Sequence, residues 1–330
     1  MVSGYGVHYP RIMGHEGAGY VREIGPDITA AKIGDPVILS FAACRNCEQC
    51  LNQHPAHCIR SQPLNFGVGP DYLVAQQTSE VLQEPNIYGK FFGQSSFASW
   101  SIVSEESVVN VSGIVKDKED LALMSPLGCG IQTGTGALIN VGNVGTNDRV
   151  VVLGLGGVGL SAIMAAKIKA CKIIIGVDRY VSRLILAREL GATHCINTAN
   201  LEVEEVADAV QKITANMGST VTLDTTGFPP LIREGLKMTG FKGKVIQVGT
   251  APETAVIDIP IHEFMVSGKQ FVGVLEGDAM PQTHIPQMIQ WIHEGKLPLQ
   301  RIVKFYQADD FETAIRDMKL GATIKPVLLW

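Results

Sequence analysis

Four cysteines lie close together in Cys44-Arg-Asn-Cys47-Glu-Gln-Cys50 and Cys58, the pattern C-x2-C-x2-C-x7-C. Four thiolates suit tetrahedral zinc, and these short spacers let one loop wrap a single ion. An all-thiolate shell leaves no position for water or substrate, so the expected role is structural. Two disulfides and an iron–sulfur cluster are the rival readings, although bacterial-type clusters usually carry a proline after the last cysteine and Ile59 stands here. His54 and His57 flank the cluster and are expected to be bystanders, because four sulfurs already fill the shell.

A second constellation is built from glycine. Val150-Val-Val-Leu-Gly154-Leu-Gly156-Gly157-Val158-Gly159 reads as a buried strand running into a tight turn and then a helix. Gly154 permits the turn, Gly156 lets backbone amides approach a pyrophosphate, and Gly159 lets the helix pack close to the strand. The helix N-terminus adds partial positive charge facing the phosphates. A further strand ends in Asp178, nineteen residues after Gly159. A carboxylate there accepts hydrogen bonds from ribose hydroxyls and repels a 2′-phosphate, which favours NAD over NADP. Arg179 weakens that preference, since a guanidinium can hold a 2′-phosphate. A glycine-rich packing turn with Asp178 as a surface acid is the alternative. Val248, closing an expected strand at Lys244–Val248, is a further expected cofactor contact.

These residues need elements to carry them. From about Thr146 to Gly273 strands and helices alternate: strands at Arg149–Leu153, Ile173–Val177, Val221–Leu223 and Lys244–Val248, with a helix from Ser182 between the second and third. Such alternation implies a parallel sheet with crossover helices. The N-terminal 127 residues consist of short β-like runs, glycine and turns. The tail carries amphipathic helices, the last expected to start at an Asp309 cap with Glu312 three residues on. Phe311, Ala314, Ile315 and Met318 should line one face of it, and Gly321 should end it.

Bulk composition agrees. The chain has 330 residues, long enough for two domains, and 46% apolar against 18% charged residues permits a large core. A net charge of −5 gives no basic footprint, which argues against nucleic-acid or anionic-membrane partners. No signal peptide is legible at the N-terminus, and the uncharged run Val150 to Ala166 is short and glycine-interrupted for a membrane span. The expected setting is cytoplasmic, where clustered cysteines suggest metal before disulfide.

Together the motifs resemble the zinc-containing alcohol dehydrogenase family of the medium-chain dehydrogenase/reductase superfamily. Gly14-His15-Glu16-Gly17-Ala18-Gly19, with Gly25 and Ile28 beyond, is similar to its signature; the cysteine lobe, Gly128-Cys129-Gly130 and Gly154–Gly159 follow in the family's order. Leu127–Gly134, Glu276–Pro281 and Ile324-Lys-Pro-Val resemble the aryl (benzyl) alcohol dehydrogenase branch. The resemblance implies a Rossmann doubly wound parallel sheet at 131–274. It also implies a GroES-like, mainly-β catalytic domain from both chain ends, 1–130 and 275–330, with the structural zinc lobe at 44–58. It further implies homodimers or homotetramers and hydride transfer between NAD and a small alcohol or aldehyde. On this carry-over His15 and Cys129 are ligands of a catalytic zinc, and Glu16 is the acid beside it. Thr133 lines the nicotinamide, Asp178 and Arg183 contact the adenosine ribose, and Lys325 lies near the pyrophosphate.

The family's first zinc ligand is a cysteine upstream of the Gly-His-Glu motif, and counting back from His15 passes Met1 before reaching it. The catalytic zinc site is therefore expected to be incomplete. The sequence is cut short, or it is a natural short form, or His8 or Glu16 completes a rearranged site. The leading function is an NAD-dependent dehydrogenase of aromatic or apolar primary alcohols. A zinc-independent reductase of the same superfamily and a non-catalytic dinucleotide-binding protein are the alternatives.

Overall fold

The computed structural model describes residues 7–68 and 87–330 of the chain. It divides into two units, Met1–Cys129 with Met280–His293 and Leu299–Trp330, and Gly130–Ala279 with Glu294–Pro298.

In the first unit, short apolar runs between glycine-rich turns pair into an antiparallel sheet of three strands. Their order is β1 (Ala18–Tyr20), β2 (Pro36–Leu39) and β3 (Val108–Asn110). Ile38 on the central strand opposes Ala18 on one side and Val109 on the other, and is fully buried. Pairing continues beyond β1, because the Leu39 N–H donates to the Gly17 carbonyl at 2.8 Å. The Gly14–Gly19 turn is thereby fixed to the sheet by backbone. After β2 come two short helices, α1 (Glu48–Leu51) and α2 (Ser61–Phe66), which frame the cysteine lobe. After β3 comes α3 (Lys118–Met124), capped by the Asp117 carboxylate accepting the Asp120 N–H at 2.8 Å.

The second unit opens on α4 (Gly130–Gly136), buried at every residue. It continues through β4 (Arg149–Leu153), α5 (Gly157–Ile168), β5 (Ile173–Asp178), α6 (Val181–Leu190), β6 (His194–Asn197) and α7 (Glu205–Ile213). It closes with β7 (Ser219–Asp224), α8 (Pro229–Met238), β8 (Thr239–Gln247), α9 (Ile261–Ser267) and β9 (Gln270–Gly273). All six strands are parallel, in the order β6-β5-β4-β7-β8-β9. Val150 to Leu153 on β4 have no exposed surface, as a β-branched strand covered on both faces requires. The sheet grows outward from β4 in both directions, so the chain leaves a crevice at the strand ends between β4 and β7. The uncharged run Val150–Ala166 is thus a central strand and a buried helix. No helix among the described residues is long and apolar enough to cross a membrane.

Chain then returns to the first unit as α10 (Pro281–His293), β10 (Val303–Gln307), α11 (Phe311–Lys319) and β11 (Lys325–Leu329), with β10 and β11 parallel. Asp309 is not the N-cap of the last helix. A 3-10 turn occupies Ala308–Asp310 and already accepts the Phe311 N–H at Ala308, so α11 starts at Phe311 with no side-chain cap. Only Ala314 of the expected apolar face is buried, with Phe311 at 49% and Ile315 at 42% exposure. A two-stranded sheet covers too narrow a stripe for the whole face. In the second unit, α6 begins at Val181 rather than Ser182, and β8 stops at Gln247. Val248 leaves the ladder because its N–H donates to the Asp224 carbonyl at 3.0 Å.

Candidate functional site

The four clustered cysteines converge. Their sulfurs lie within 4.8 Å of one another, with Cys47 3.5 Å from Cys50 and 4.0 Å from Cys58, and Cys44 4.0 Å from Cys50. All seven cysteines of the chain are unbridged. Disulfide sulfurs stand about 2 Å apart, so these spacings exclude bridges. A tetrahedron of sulfurs at the usual zinc–thiolate distance has edges of about 3.8 Å, which matches. Backbone N–H groups of Cys50 and Ile59 bring the Cys47 thiol down to about 6. Burial and the neighbouring thiols push Cys50 up to about 12. Four thiols this close cannot all ionise unaided, and a divalent cation at their centre removes the conflict. The donor set fits zinc. His54 and His57 do not join the cluster.

His15 lies at the turn ahead of β1, with its ring stacked on Phe92 at 4.7 Å between centroids and 26° between planes. Phe91 meets the same ring edge-on at 5.7 Å. Burial pushes the His15 imidazole below its ordinary pKa; the Glu16 carboxylate opposes that and Lys325 adds to it. Glu16 is ion-paired with Lys325 at the start of β11, which holds the lysine beside the turn. Cys129 follows Gly128, where a Cβ would fall 1.8 Å from the Leu39 carbonyl oxygen. Only glycine lets this segment pass so close to β2, and the Ser40 hydroxyl donates to the Gly128 carbonyl at 2.7 Å. An imidazole and a thiol are both donors of the kind zinc takes. Among the described residues, neither His8 nor Glu16 joins His15 and Cys129 in a converging three-donor group, so the rearranged site is not found there.

At the glycine-rich turn, Gly154 has φ +87° and Gly156 caps α5 in extended conformation, with open space where its Cβ would be. Gly157 and Val158 form the first turn of α5. A Cβ on Gly159 would fall 1.9 Å from the Gly154 carbonyl oxygen, so that glycine sets the approach of helix to turn. Asp178, the last residue of β5, accepts the Leu155 N–H at 2.8 Å through one oxygen and the Tyr180 N–H at 2.9 Å through the other. Arg183 Nη1 lies 3.6 Å from it. Arg179 and Arg183 both lie over the Tyr180 ring, at 5.0 and 4.7 Å. This is a cradle open at Gly156 and edged by a fixed carboxylate, and it fits a dinucleotide. Thr133 is buried on α4 and, with Gln132, donates to the Glu276 carboxylate at 3.4 and 3.0 Å.

Sequence reasoning missed Phe92, Gln94 and Glu276. Phe92 and Glu276 have left-handed backbone, at φ 53° and 50°, and Gln94 makes its bonds to residues far away in the chain. Phe92 and Gln94 leave no local pattern, and Glu276 stands in the Glu276–Pro281 run that carries the branch resemblance, where nothing marks its bonds to Gln132 and Thr133.

The comparisons agree with this geometry. The alcohol dehydrogenase GroES-like domain family matches residues 1–113, and the zinc-binding dehydrogenase family matches residues 157–294. Geraniol dehydrogenase from Castellaniella defragrans is 36% identical over 327 residues, covering 99% of this chain and 85% of that protein. S-(hydroxymethyl)glutathione dehydrogenase from Paracoccus denitrificans is 31% identical, covering 98% and 85%. The crystal structure of benzyl alcohol dehydrogenase from Acinetobacter calcoaceticus superposes with a TM-score of 0.88 at 36% identity, covering 98% of this chain and 84% of that one. Cysteine lobe, Gly-His-Glu turn and parallel sheet stand in one order in a chain so matched along its length, and the chain belongs to the zinc-containing alcohol dehydrogenases of the medium-chain dehydrogenase/reductase superfamily.

Proposed function

We propose that this oxidoreductase interconverts aromatic or apolar primary alcohols and their aldehydes, with NAD as hydride carrier. The observation that carries the substrate class is the aromatic bed of His15: Phe92 beneath the ring, Phe91 at its edge, and Phe66 edge-on to Phe92 at 5.0 Å. Phe66 and Phe91 are buried, so this packing keeps water from one side of His15, an environment that suits an apolar alcohol better than a small polar one. In this reading His15 and Cys129 hold the catalytic metal and Cys44, Cys47, Cys50 and Cys58 the structural one. When bound, zinc supplies Lewis acidity and NAD the hydride acceptor. Glu16 keeps the charge of Lys325 beside the turn. Gly154, Gly156, Gly157, Val158 and Gly159 receive the pyrophosphate; Asp178 and Arg183 hold the ribose; Thr133 and Val248 bound the nicotinamide side. The reductase and non-catalytic readings are disfavoured by the joint presence of His15, Glu16, Cys129 and the cysteine lobe.

A second copy of the chain is the proposed protein partner, as a homodimer or homotetramer. The support is β9, which ends the six-stranded sheet, and α9, the helix preceding it in the chain, with Ile261 at 76% and Met265 at 67% exposure. Seven unbridged cysteines suit a reducing, cytoplasmic setting.

The test is NADH formation by zinc-replete protein. Benzyl alcohol and geraniol are expected to be oxidised with a higher kcat/KM than ethanol; no NADH from any of the three would overturn the reading. A second expectation concerns cofactor choice. Asp178→Ala removes a carboxylate that is fixed by two backbone N–H groups, and hydrogen bonds to a charged group contribute about 1.5–3 kcal/mol. The kcat/KM for NAD should fall ~10- to 100-fold while that for NADP rises, because Arg179 and Arg183 remain. Unchanged kinetics with both cofactors would remove Asp178 from the ribose site.

A further inference from the structure

Gln94 has 0% exposure and sits in a segment whose backbone is left-handed at Lys90, Phe92 and Ser95. Its amide is committed wholly to backbone. Oε1 accepts the Gly17 N–H at 3.0 Å, and Nε2 donates to the His15 carbonyl at 3.0 Å and to the Ser40 carbonyl at 3.2 Å. These bonds bracket Glu16 from both sides and tie the turn to the end of β2. Ser40 in turn takes its own backbone from β3's approach, donating its N–H to the Ser107 carbonyl at 2.8 Å. The Ser40 hydroxyl reaches the other way to the Gly128 carbonyl, one residue before Cys129.

A buried chain of hydrogen bonds therefore runs from the His15 carbonyl through Gln94 and Ser40 to the residue preceding Cys129. We propose that Gln94 and Ser40 are positioning residues that set the separation and orientation of His15 and Cys129 for metal binding. The proposal rests on the reading of those two residues as metal ligands. Metal–ligand distances tolerate about 0.2 Å. The two ligands come from segments far apart in the chain, each a loop, and independent loops do not hold such a tolerance. A shared anchor does. Gln94 suits the task because one planar amide both accepts from and donates to the same turn, which fixes rotation as well as distance.

Two variants separate positioning from mere loop cohesion. Gln94→Leu keeps the bulk and deletes all three bonds. Ser40→Ala deletes the hydroxyl's link to Gly128 and leaves the Gln94–Ser40 carbonyl bond in place. The measurements are zinc per chain, affinity for the second ion by chelator competition, the cobalt(II) absorption bands of that site, and the thermal midpoint. The wild type should hold one zinc beyond that of the cysteine lobe. Ser40→Ala should weaken the second ion about 5- to 10-fold, the value of one neutral hydrogen bond. It should also shift the cobalt bands, with the lobe zinc unchanged and the thermal midpoint lowered by no more than a few degrees. Gln94→Leu should release the second ion entirely while the lobe keeps its own; if that variant does not fold, Ser40→Ala decides. A wild type holding two ions whose variants bind the second as tightly, with unshifted bands, overturns the positioning role. A wild type holding only the lobe zinc overturns the ligand reading itself, and the positioning role with it.

Discussion

Cys47→Ser is expected to remove one zinc per chain and to lower the thermal midpoint by roughly 10 °C, the shift that several kcal/mol produce in a protein of this size. The lobe has little else to hold it. Its buried cluster consists of Phe41, Ala43, Cys47, Ala56 and Cys58, with Cys44, Cys50, Leu64 and Phe92 packed against it. Four of those nine residues are the cysteines themselves. α1 spans four residues, too few to persist alone in water. Structural zinc in small domains contributes about 10–16 kcal/mol of apparent folding free energy. Cys47 is the member to change, since its sulfur stands within 4.0 Å of both Cys50 and Cys58 and two backbone N–H groups favour its thiolate. A hydroxyl offers zinc a poorer donor. Metal analysis and differential scanning calorimetry check the outcome; unchanged zinc content and midpoint would rule out the structural site.

The second large effect comes from two glycines three residues apart. In Gly159→Ala the new methyl would lie 1.9 Å from the Gly154 carbonyl oxygen and 2.9 Å from its carbon. Gly154 cannot retreat, because Thr225 donates its hydroxyl to that same carbonyl at 3.0 Å and packs against the turn. The helix must withdraw instead, at a cost of about 1–3 kcal/mol or more for overpacking. NAD affinity should fall with stability. Gly156→Ala is the contrasting case. Its backbone is extended, its Cβ would meet nothing within 4 Å, and the folded protein should tolerate it. If a pyrophosphate approaches there, the methyl occupies its place. The expected result is an unchanged midpoint with an NAD dissociation constant raised at least ~10-fold, the equivalent of about 1.4 kcal/mol. Equal NAD affinity in Gly156→Ala and wild type would place the phosphates elsewhere.

Much of the fold is written locally. The run Val150–Leu153 with its glycines encodes strand, turn and helix within about ten residues, and the spacing of Cys44, Cys47, Cys50 and Cys58 encodes the lobe in fifteen. Asp178 is legible because a β5 of known start must end near it. Features formed at long range are not legible. Gln94 bonds across 77 and 79 residues, and no pattern in Gly93-Gln94-Ser95-Ser96 announces it. The pairing of Lys325 with Glu16 joins the two chain ends. The capping pattern at Asp309 misled for the opposite reason: its letters were right, but a 3-10 turn had already satisfied the backbone donor they would have capped.

Phe92 belongs to two neighbourhoods at once. Its ring lies in the cysteine lobe's cluster and also under His15, and its backbone is held at φ 53° and ψ 36°, a conformation a phenylalanine keeps only when its surroundings enforce it. The lobe and the His15 turn are thus thermodynamically linked, and linkage is reciprocal. An ion that orders the lobe also narrows the ring positions open to His15, and whatever engages His15 returns the favour to the lobe by the same factor. Loss of metal from the lobe is therefore expected to loosen the Phe92 ring and to register first at the imidazole stacked on it.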